Sequence, residues 1–216
     1  MLEELKAVVE DMEEDKAPGL DSFSTSFITS CWDIIHKGLF KMVLKSQNCN
    51  KIGGSTTSAF LALNPKEKDA TTFDRFRPIS LCNIGYKIIT KIMAIRIKGI
   101  LHKIIPVNQG AFIEGRKIWD NIILVQEAIH SCLWNRVRGM VVKIDIADAF
   151  DRVRHAFLLH VMRKFGFNPA FIRWVKDYIS EPWIAPLING RVAGVFKTSR
   201  GLCQRCPISY TRWFKQ

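Results

Sequence analysis

The sequence predicts an α+β fold in which helices outnumber strands. Apolar residues recur at helical spacing over several long segments, and short β-branched segments lie between them. The dipeptide Asn189-Gly190, a strong hairpin signal, separates two of these short segments. Apolar residues form 48% of the 216 residues and charged residues 24%, a composition that excludes a disordered chain.

The first part of the chain is predicted to hold two helices and two extended segments. Leu5, Val8 and Val9 have helical spacing within residues 2–14, and the turn K-A-P-G at 16–19 ends that helix. A longer helix is predicted over about 24–45, because its apolar residues repeat every three or four positions. The two extended segments are predicted at 60–63 and 75–81.

Residues 84–105 form the longest periodic segment, and Pro106 ends it. The pattern predicts an amphipathic helix with an apolar inner face and a basic outer face. The solvated surface of a helix is the usual explanation of such a basic row. The inner face is Ile84, Ile88, Ile92 and Ile95, and the outer face is Lys87, Lys91, Arg96 and Lys98.

The remaining elements alternate between helices and strands. Residues 140–146 are apolar and rich in β-branched side chains, so they predict a buried strand. Segments 184–188 and 192–196 predict a hairpin around Asn189-Gly190. Helices are predicted over 119–133, from the end of the buried strand to about 165, and over 169–179.

The charge balance favours a polyanionic partner. The chain carries 32 Lys and Arg against 20 Asp and Glu, a formal net charge of +12. A basic protein gains affinity for nucleic acid when its cations release the counterions of phosphates. Six scattered cysteines, with Cys203 and Cys206 as the only C-x-x-C pair, predict free thiols rather than a zinc site.

The sequence predicts no membrane segment. No stretch reaches the roughly 20 uncharged apolar residues that a membrane span requires. The N-terminal residues are acidic, the opposite of a signal peptide, so we expect a soluble, intracellular chain.

The segment K-I-D-I-A-D-A-F-D-R-V at 143–153 holds the clearest chemical signal. Asp148 and Asp151 are well explained as the N-cap and first turn of the next helix. Asp145 lies within the predicted apolar strand, where an unpaired carboxylate is costly to bury.

Two interpretations of Asp145 follow from the residues alone. It could simply end its strand, or it could be a ligand of Mg²⁺, which prefers carboxylate oxygens together with water and phosphates. Polymerases use two such ions to hold the attacking and leaving oxygens of phosphoryl transfer. Acidic strand ends also bind Mg²⁺ in phosphatases and nucleases, and a second acidic segment would be required for two ions.

Several motifs, in order, resemble those of the reverse transcriptases of non-LTR, LINE-type retrotransposons. The match covers about residues 15–209, and the wording of its fourth block is closest to plant elements. The motifs are K-A-P-G-L-D-S-F at 16–23, L-N-P-K at 63–66, F-R-P-I-S-L-C-N-I-G-Y-K at 76–87, N-Q-G-A-F-I-E-G-R-K-I-W-D-N at 108–121, the carboxylate segment at 143–153, N-G at 189–190 and R-G-L-C-Q at 200–204.

The resemblance implies a right-hand polymerase fold, RNA and DNA partners, and Mg²⁺ as the cofactor. Asp145 would bind the catalytic Mg²⁺ ions, and Ile146 would offer its backbone carbonyl to one of them. Phe150 would lie beneath the sugar of the incoming dNTP and exclude a ribose 2′-hydroxyl. An RNA template and a DNA primer are the implied partners, and action in the nucleus is compatible with the family although no targeting run supports it.

The resemblance also implies nucleotide and template contacts. Arg77, assisted by Lys66, would lie on the triphosphate, where a bidentate guanidinium suits phosphate oxygens. Alternatively, Arg77 next to Pro78 could only anchor a hairpin, and Phe150 could be a core residue. The other implied residues are Gln204 and Gly201 at the nucleotide pocket, and Gln109, Phe112 and Arg116 beside the template path.

The chain departs from the family pattern at several positions. Ser22 stands where a glycine is usual, His155 where a tryptophan is usual, and Arg205 replaces a glycine in the last block. The two adjacent aspartates of the F/Y-A-D-D hairpin do not occur in the sequence, so we expect a fragment that is inactive alone. The alternative is a non-catalytic, basic nucleic-acid-binding remnant.

The resemblance also predicts how the chain is divided. Residues 1–138 would form a fingers-like region, 139–209 a partial palm with an incomplete antiparallel sheet packed by helices, and 210–216 an unrelated tail. Because the central hairpin of the palm is missing, we expect the strand at 140–146 to expose an edge and an apolar face.

Overall fold

The computed structural model describes residues 1–14, 16–48, 57–110, 113, 115–145 and 152–201. These residues form seven helices, a short 3-10 turn at Phe73–Arg75 and one five-stranded sheet, so the predicted α+β class is confirmed. The helices are α1 Leu2–Glu10, α2 Thr25–Ser30, α3 Trp32–Asn48, α4 Ile84–Ile104, α5 Ile118–Trp134, α6 His155–Lys164 and α7 Pro169–Ser180; the strands are β1 Ala59–Pro65, β2 Phe76–Cys82, β3 Trp183–Ile188, β4 Arg191–Val192 and β5 Phe196–Lys197.

The sheet is mixed and joins segments that are distant in sequence. Its order is β2-β1-β3-β4, and β5 also pairs with β3. β1 and β2 are antiparallel, whereas β1 and β3 are parallel, because the chain passes through the helices before it returns as β3. The expected sheet was antiparallel, so this parallel pair is a correction to that detail.

The long helix predicted over 24–45 is two helices that meet at Cys31. The Ser24 side chain accepts a hydrogen bond from the backbone N–H of Phe27 and begins α2. The Thr29 hydroxyl donates to the carbonyl of Thr25, 3.1 Å away. Such side-chain bonds compete with helix continuation, and apolar periodicity does not reveal them.

Helix α4 lies at the centre of the core. Ile88, Ile89 and Met93 are fully buried, and α1 packs beside them. The Tyr86 hydroxyl donates to the carbonyl of Tyr178 at 2.7 Å, which joins α4 to α7. The apolar face of α4 was therefore predicted correctly, except that Ile95 is 40% exposed.

The basic face of α4 is covered, which corrects the predicted solvated surface. Arg96 donates two hydrogen bonds to the Glu4 carboxylate, at 2.9 and 3.0 Å, and Lys91 lies 2.7 Å from the Asp11 carboxylate. Lys87 is buried and donates to the carbonyl of Ala17. The acidic N-terminal segment thus neutralises the basic face of α4.

Residues 140–145 form no strand, so this prediction was wrong for the described part of the segment. Met140 is 86% exposed and Ile144 82%. A β-branched segment becomes a strand only when its backbone groups pair with a neighbour, and none of the described strands pairs with this one. Ile146 lies outside the described residues.

Helix α5 is rich in apolar residues and yet buries none of them. Trp119, Leu124, Leu133 and Trp134 are all more than 60% exposed. A continuous exposed apolar surface of this kind, from α5 to residue 145, is typical of sites of protein association. No described helix is long and apolar enough to cross a membrane.

We predict that Glu4→Gln lowers the free energy of unfolding by about 1 kcal/mol at pH 7, because a half-exposed charge-assisted pair is lost. The hydrogen bond from Arg96 lowers the pKa of Glu4 below 4.5. Its stabilising effect is therefore present above about pH 4.5 and disappears as the pH falls through the lowered pKa. Urea unfolding of both proteins from pH 7 to pH 2.5 measures this; a constant difference across that range would contradict it.

We predict that the double change Leu133→Lys and Trp134→Lys reduces self-association and leaves the Tm unchanged, since both side chains are exposed. Sedimentation and thermal unfolding measure the two effects, with Val175→Lys in the core as a strongly destabilised control. A clear fall in the Tm of the surface variant would mean that these residues are buried.

Candidate functional site

The hairpin formed by β1 and β2 carries two of the predicted nucleotide contacts. Asn64 pairs with Arg77, and the backbone N–H of Lys66 donates to the carbonyl of Arg75 at 2.8 Å. Cross-strand partners and alternate residues share a face of a hairpin, so Lys66, Arg75 and Arg77 lie on the same face.

The three cations of this face differ in their partners. The Lys66 ammonium donates to the carbonyl of Asp74 at 2.8 Å, and the Arg75 guanidinium lies 3.1 Å from the Glu67 carboxylate. Arg77 is exposed and makes no hydrogen bond or ion pair with any residue that the structure describes. Its guanidinium is therefore open to an external anion.

Asp145 lies on the exposed segment after α5, not in a pocket. No ion pair or hydrogen bond joins it to Arg77, Lys66 or Gly201, all of them described residues. The described part of the chain holds no group of three or more His, Cys, Asp and Glu that could bind a metal. One exposed carboxylate does not fit a site for two Mg²⁺ ions. Ile146 and Phe150 lie outside the described residues.

The loop before α5 is closed by Arg116, which was predicted to border the template. Its guanidinium donates to the carbonyls of Ile105 and Gln109, at 2.9 and 3.0 Å, and to that of Pro106. The Asn121 amide donates to the carbonyl of Asn108 at 3.3 Å. Arg116 therefore shapes the loop, and Gln109 is exposed on it. Phe112 lies outside the described residues.

His155 ties Gly201 to the start of α6. The imidazole Nε2 lies 2.8 Å from the carbonyl of Gly201, to which it donates, and Nδ1 lies 3.5 Å from the Ser180 hydroxyl. The backbone N–H of Gly201 donates to the carbonyl of Val153 at 2.9 Å. Gly201 has φ +79°, a conformation that favours glycine. Gln204 lies outside the described residues.

In the sequence, His155 stands out only because it replaces the usual tryptophan. Histidine and tryptophan share a ring N–H donor. That shared donor is the signal that could have indicated the hydrogen bond from His155 to the carbonyl of Gly201. The His155 side chain is buried, as a tryptophan at this position would be expected to be.

The described structure brings together some of the predicted residues and separates others. Lys66 and Arg77 share the end of the hairpin, while Gly201 contacts His155. Lys197 of β5 pairs with Trp183, at the opposite end of the sheet from Arg77. The register separates the two ends by roughly 20 Å along the strands. The end of β5, from which the chain continues to Gly201, therefore lies apart from Lys66 and Arg77.

Comparison with known proteins gives a consistent identification. The family model described as reverse transcriptase (RNA-dependent DNA polymerase) matches residues 65–213. The chain is 28% identical over 208 residues, 96% of its length, to the transposon TX1 uncharacterized 149 kDa protein of Xenopus laevis. It is 28% identical over 149 residues, 68% of its length, to the Pol polyprotein from the type-1 retrotransposable element R2 of Nasonia vitripennis.

A third relative is the probable RNA-directed DNA polymerase from transposon BS of Drosophila melanogaster, 23% identical over 185 residues and 83% of the chain. The matched regions are 16%, 14% and 20% of these three relatives. The chain therefore spans about a sixth of the length of the relatives it matches.

Proposed function

Because this chain belongs to the reverse transcriptase family, we propose that it forms the triphosphate-binding side of an RNA-directed DNA polymerase of a non-LTR retrotransposon. The substrates are a dNTP, a DNA primer and an RNA template. The observation that carries this proposal is the exposed guanidinium of Arg77 on the β1–β2 hairpin, which has no partner among the described residues.

The chemistry of the hairpin suits a triphosphate. Arg77 offers two parallel N–H donors, which match two phosphate oxygens. Lys66 lies two residues further along the same face of the ladder, and among the described residues its ammonium is bound to one carbonyl, which a phosphate could replace. Arg75 is held by Glu67, so its charge is less available.

We further propose that these 216 residues alone do not add nucleotides. Asp145 is the residue that would hold Mg²⁺, and Mg²⁺ would supply the charge that activates the primer hydroxyl and binds the leaving oxygens. Asp145 is exposed and has no second carboxylate beside it among the described residues. The sequence also contains no F/Y-A-D-D segment. The roles of Ile146, Phe150 and Gln204 remain predictions.

A non-catalytic nucleic-acid-binding role is the second candidate, and the net charge of +12 favours it. The paired basic residues of α4 contribute little to such a role. Lys37, Lys41 and Lys45 form an exposed row along α3 and are better placed for phosphates. If this is the only function, RNA affinity will fall steeply with salt and will be unaffected by Arg77→Ala. The fingers and palm boundaries at 138 and 209 remain part of the proposal.

We predict that Arg77→Ala weakens the binding of a fluorescently labelled dATP by about tenfold, since a bidentate charged contact contributes on the order of 1.4 kcal/mol. Fluorescence anisotropy with Mg²⁺ present measures this. The matched control is Arg191→Ala, which removes an exposed arginine from β4. Equal effects of the two variants would mean that only net charge matters.

We predict no primer extension by the wild-type chain or by Asp145→Ala, because a two-metal site requires a group of carboxylates that the described residues do not assemble. Incubation with Mg²⁺, dNTPs and an annealed RNA template and DNA primer, followed by gel analysis, measures this. Templated extension that disappears in Asp145→Ala would contradict the proposed inactivity.

A further inference from the structure

The segment at residues 17–21 lies against the junction between β2 and α4. An ideal Cβ added to Gly19 would lie 2.4 Å from the carbonyl carbon of Cys82, and 2.5 Å from the backbone nitrogen of Asn83. A side chain at residue 19 therefore has no room, and only glycine permits this approach. The close contact joins two blocks that are more than 60 residues apart in sequence.

Asp21 takes over the capping of α4. Its Oδ2 accepts a hydrogen bond from the backbone N–H of Ile84 at 2.8 Å, and its own N–H donates to Oδ1 of Asn83 at 3.2 Å. Asn83, the residue in the N-cap position, makes no side-chain capping bond. A carboxylate is favourable here, because the first N–H groups of a helix are unsatisfied and carry partial positive charge.

Lys87 adds a third attachment, one turn into α4. Its ammonium donates to the carbonyl of Ala17 at 2.8 Å, and the residue is only 9% exposed. The contacts of Gly19, Asp21 and Lys87 thus hold one segment against the first turn of the helix from three directions.

We propose that residues 17–21 are a latch that fixes the β1–β2 hairpin on the helices, and that Asp21 is a positioning residue for Arg77. Only Asn83 separates β2 from α4, so a latch on this junction sets the direction in which the strand leaves the helix. Arg77 lies on β2, five positions before Cys82. The inference rests on the proposed contact between Arg77 and a triphosphate.

The position of β2 in the sheet explains why we expect the latch to affect the affinity for the triphosphate as well as the free energy of unfolding. Among the described strands, β2 lies at the edge of the sheet and pairs with β1 alone, and β1 is joined to the rest of the sheet by a short parallel ladder with β3. The hairpin end at Lys66 and Arg77 extends beyond that ladder. The latch is therefore the second anchor that determines where the Arg77 guanidinium lies.

The test is a double-mutant cycle on the affinity for labelled dATP with Mg²⁺. Asp21→Asn keeps the size of the side chain and removes its charge, and Asp33→Asn is the matched control at an exposed position of α3. We expect Asp21→Asn to weaken binding at least threefold with Arg77 present and to have no effect in the Arg77→Ala background. Gly19→Ala should repeat the effect, because its methyl group clashes with Cys82, and Asp33→Asn should bind as the wild type does.

The outcomes separate the two proposals. If Arg77→Ala weakens binding and Asp21→Asn does not, the latch is overturned and the proposed function stands. A loss of the same size in both backgrounds would overturn positioning through Arg77.

If Arg77→Ala has no effect, the proposed function fails, and hydrogen exchange decides whether the latch exists. Asp21→Asn should then speed exchange at Ile84 and along β2 while α7 keeps its wild-type rate. Unchanged exchange along β2 would overturn the latch.

Discussion

The burial of α4, together with the neutralisation of its cations, is the constraint on which the remaining structure depends. Its apolar face fills the core, so its basic face is brought against the N-terminal segment rather than water. Cations in that position require partners, because an unpaired charge is costly when water is removed. Glu4, Asp11 and the carbonyl of Ala17 meet this requirement. The acidic N-terminus is therefore part of the fold.

The same helix determines which part of the candidate site is formed. β2 leads directly into α4, so the hairpin with Lys66 and Arg77 is supported by the most buried element of the chain. Asp145 follows α5, which buries none of its residues, and lies on an exposed segment. Helix α4 thus supports the hairpin with Lys66 and Arg77, whereas none of the described elements supports the segment with Asp145 in this way. Because of this difference, membership of the reverse transcriptase family does not by itself imply that these 216 residues are active.

Sequence patterns predicted those helices and turns that depend on residues close together in the chain. The helix over 84–105 was found within one residue, and Asn189 and Gly190 take the positive φ angles of +51° and +76° that their turn requires. The strand at 140–146 failed because its composition indicates an affinity for a sheet but does not supply a neighbouring strand. The basic row of α4 was correctly placed on one face, yet periodicity cannot tell whether water or an acidic helix covers it.

The candidate site was predictable to a similar extent. Motif order associated Lys66 with Arg77, and in the ladder of β1 and β2 the two residues lie on one face. It could not show that Arg116 closes its own loop or that His155 holds Gly201, because both contacts depend on how loops fold back. The contact between Gly19 and Cys82 could not be predicted for the same reason, because it joins two motifs that are far apart in sequence.

Hydrogen exchange on the wild-type chain, resolved by peptide, distinguishes the buried helix α4 from the exposed segment that bears Asp145. We expect slow exchange across Tyr86–Met93 of α4 and fast exchange across residues 140–145, whose backbone pairs with none of the described strands. Protection of 140–145 comparable to that of α4 would contradict it. That result would mean that the segment bearing Asp145 is a paired strand, and that the chain assembles the carboxylate side of the site.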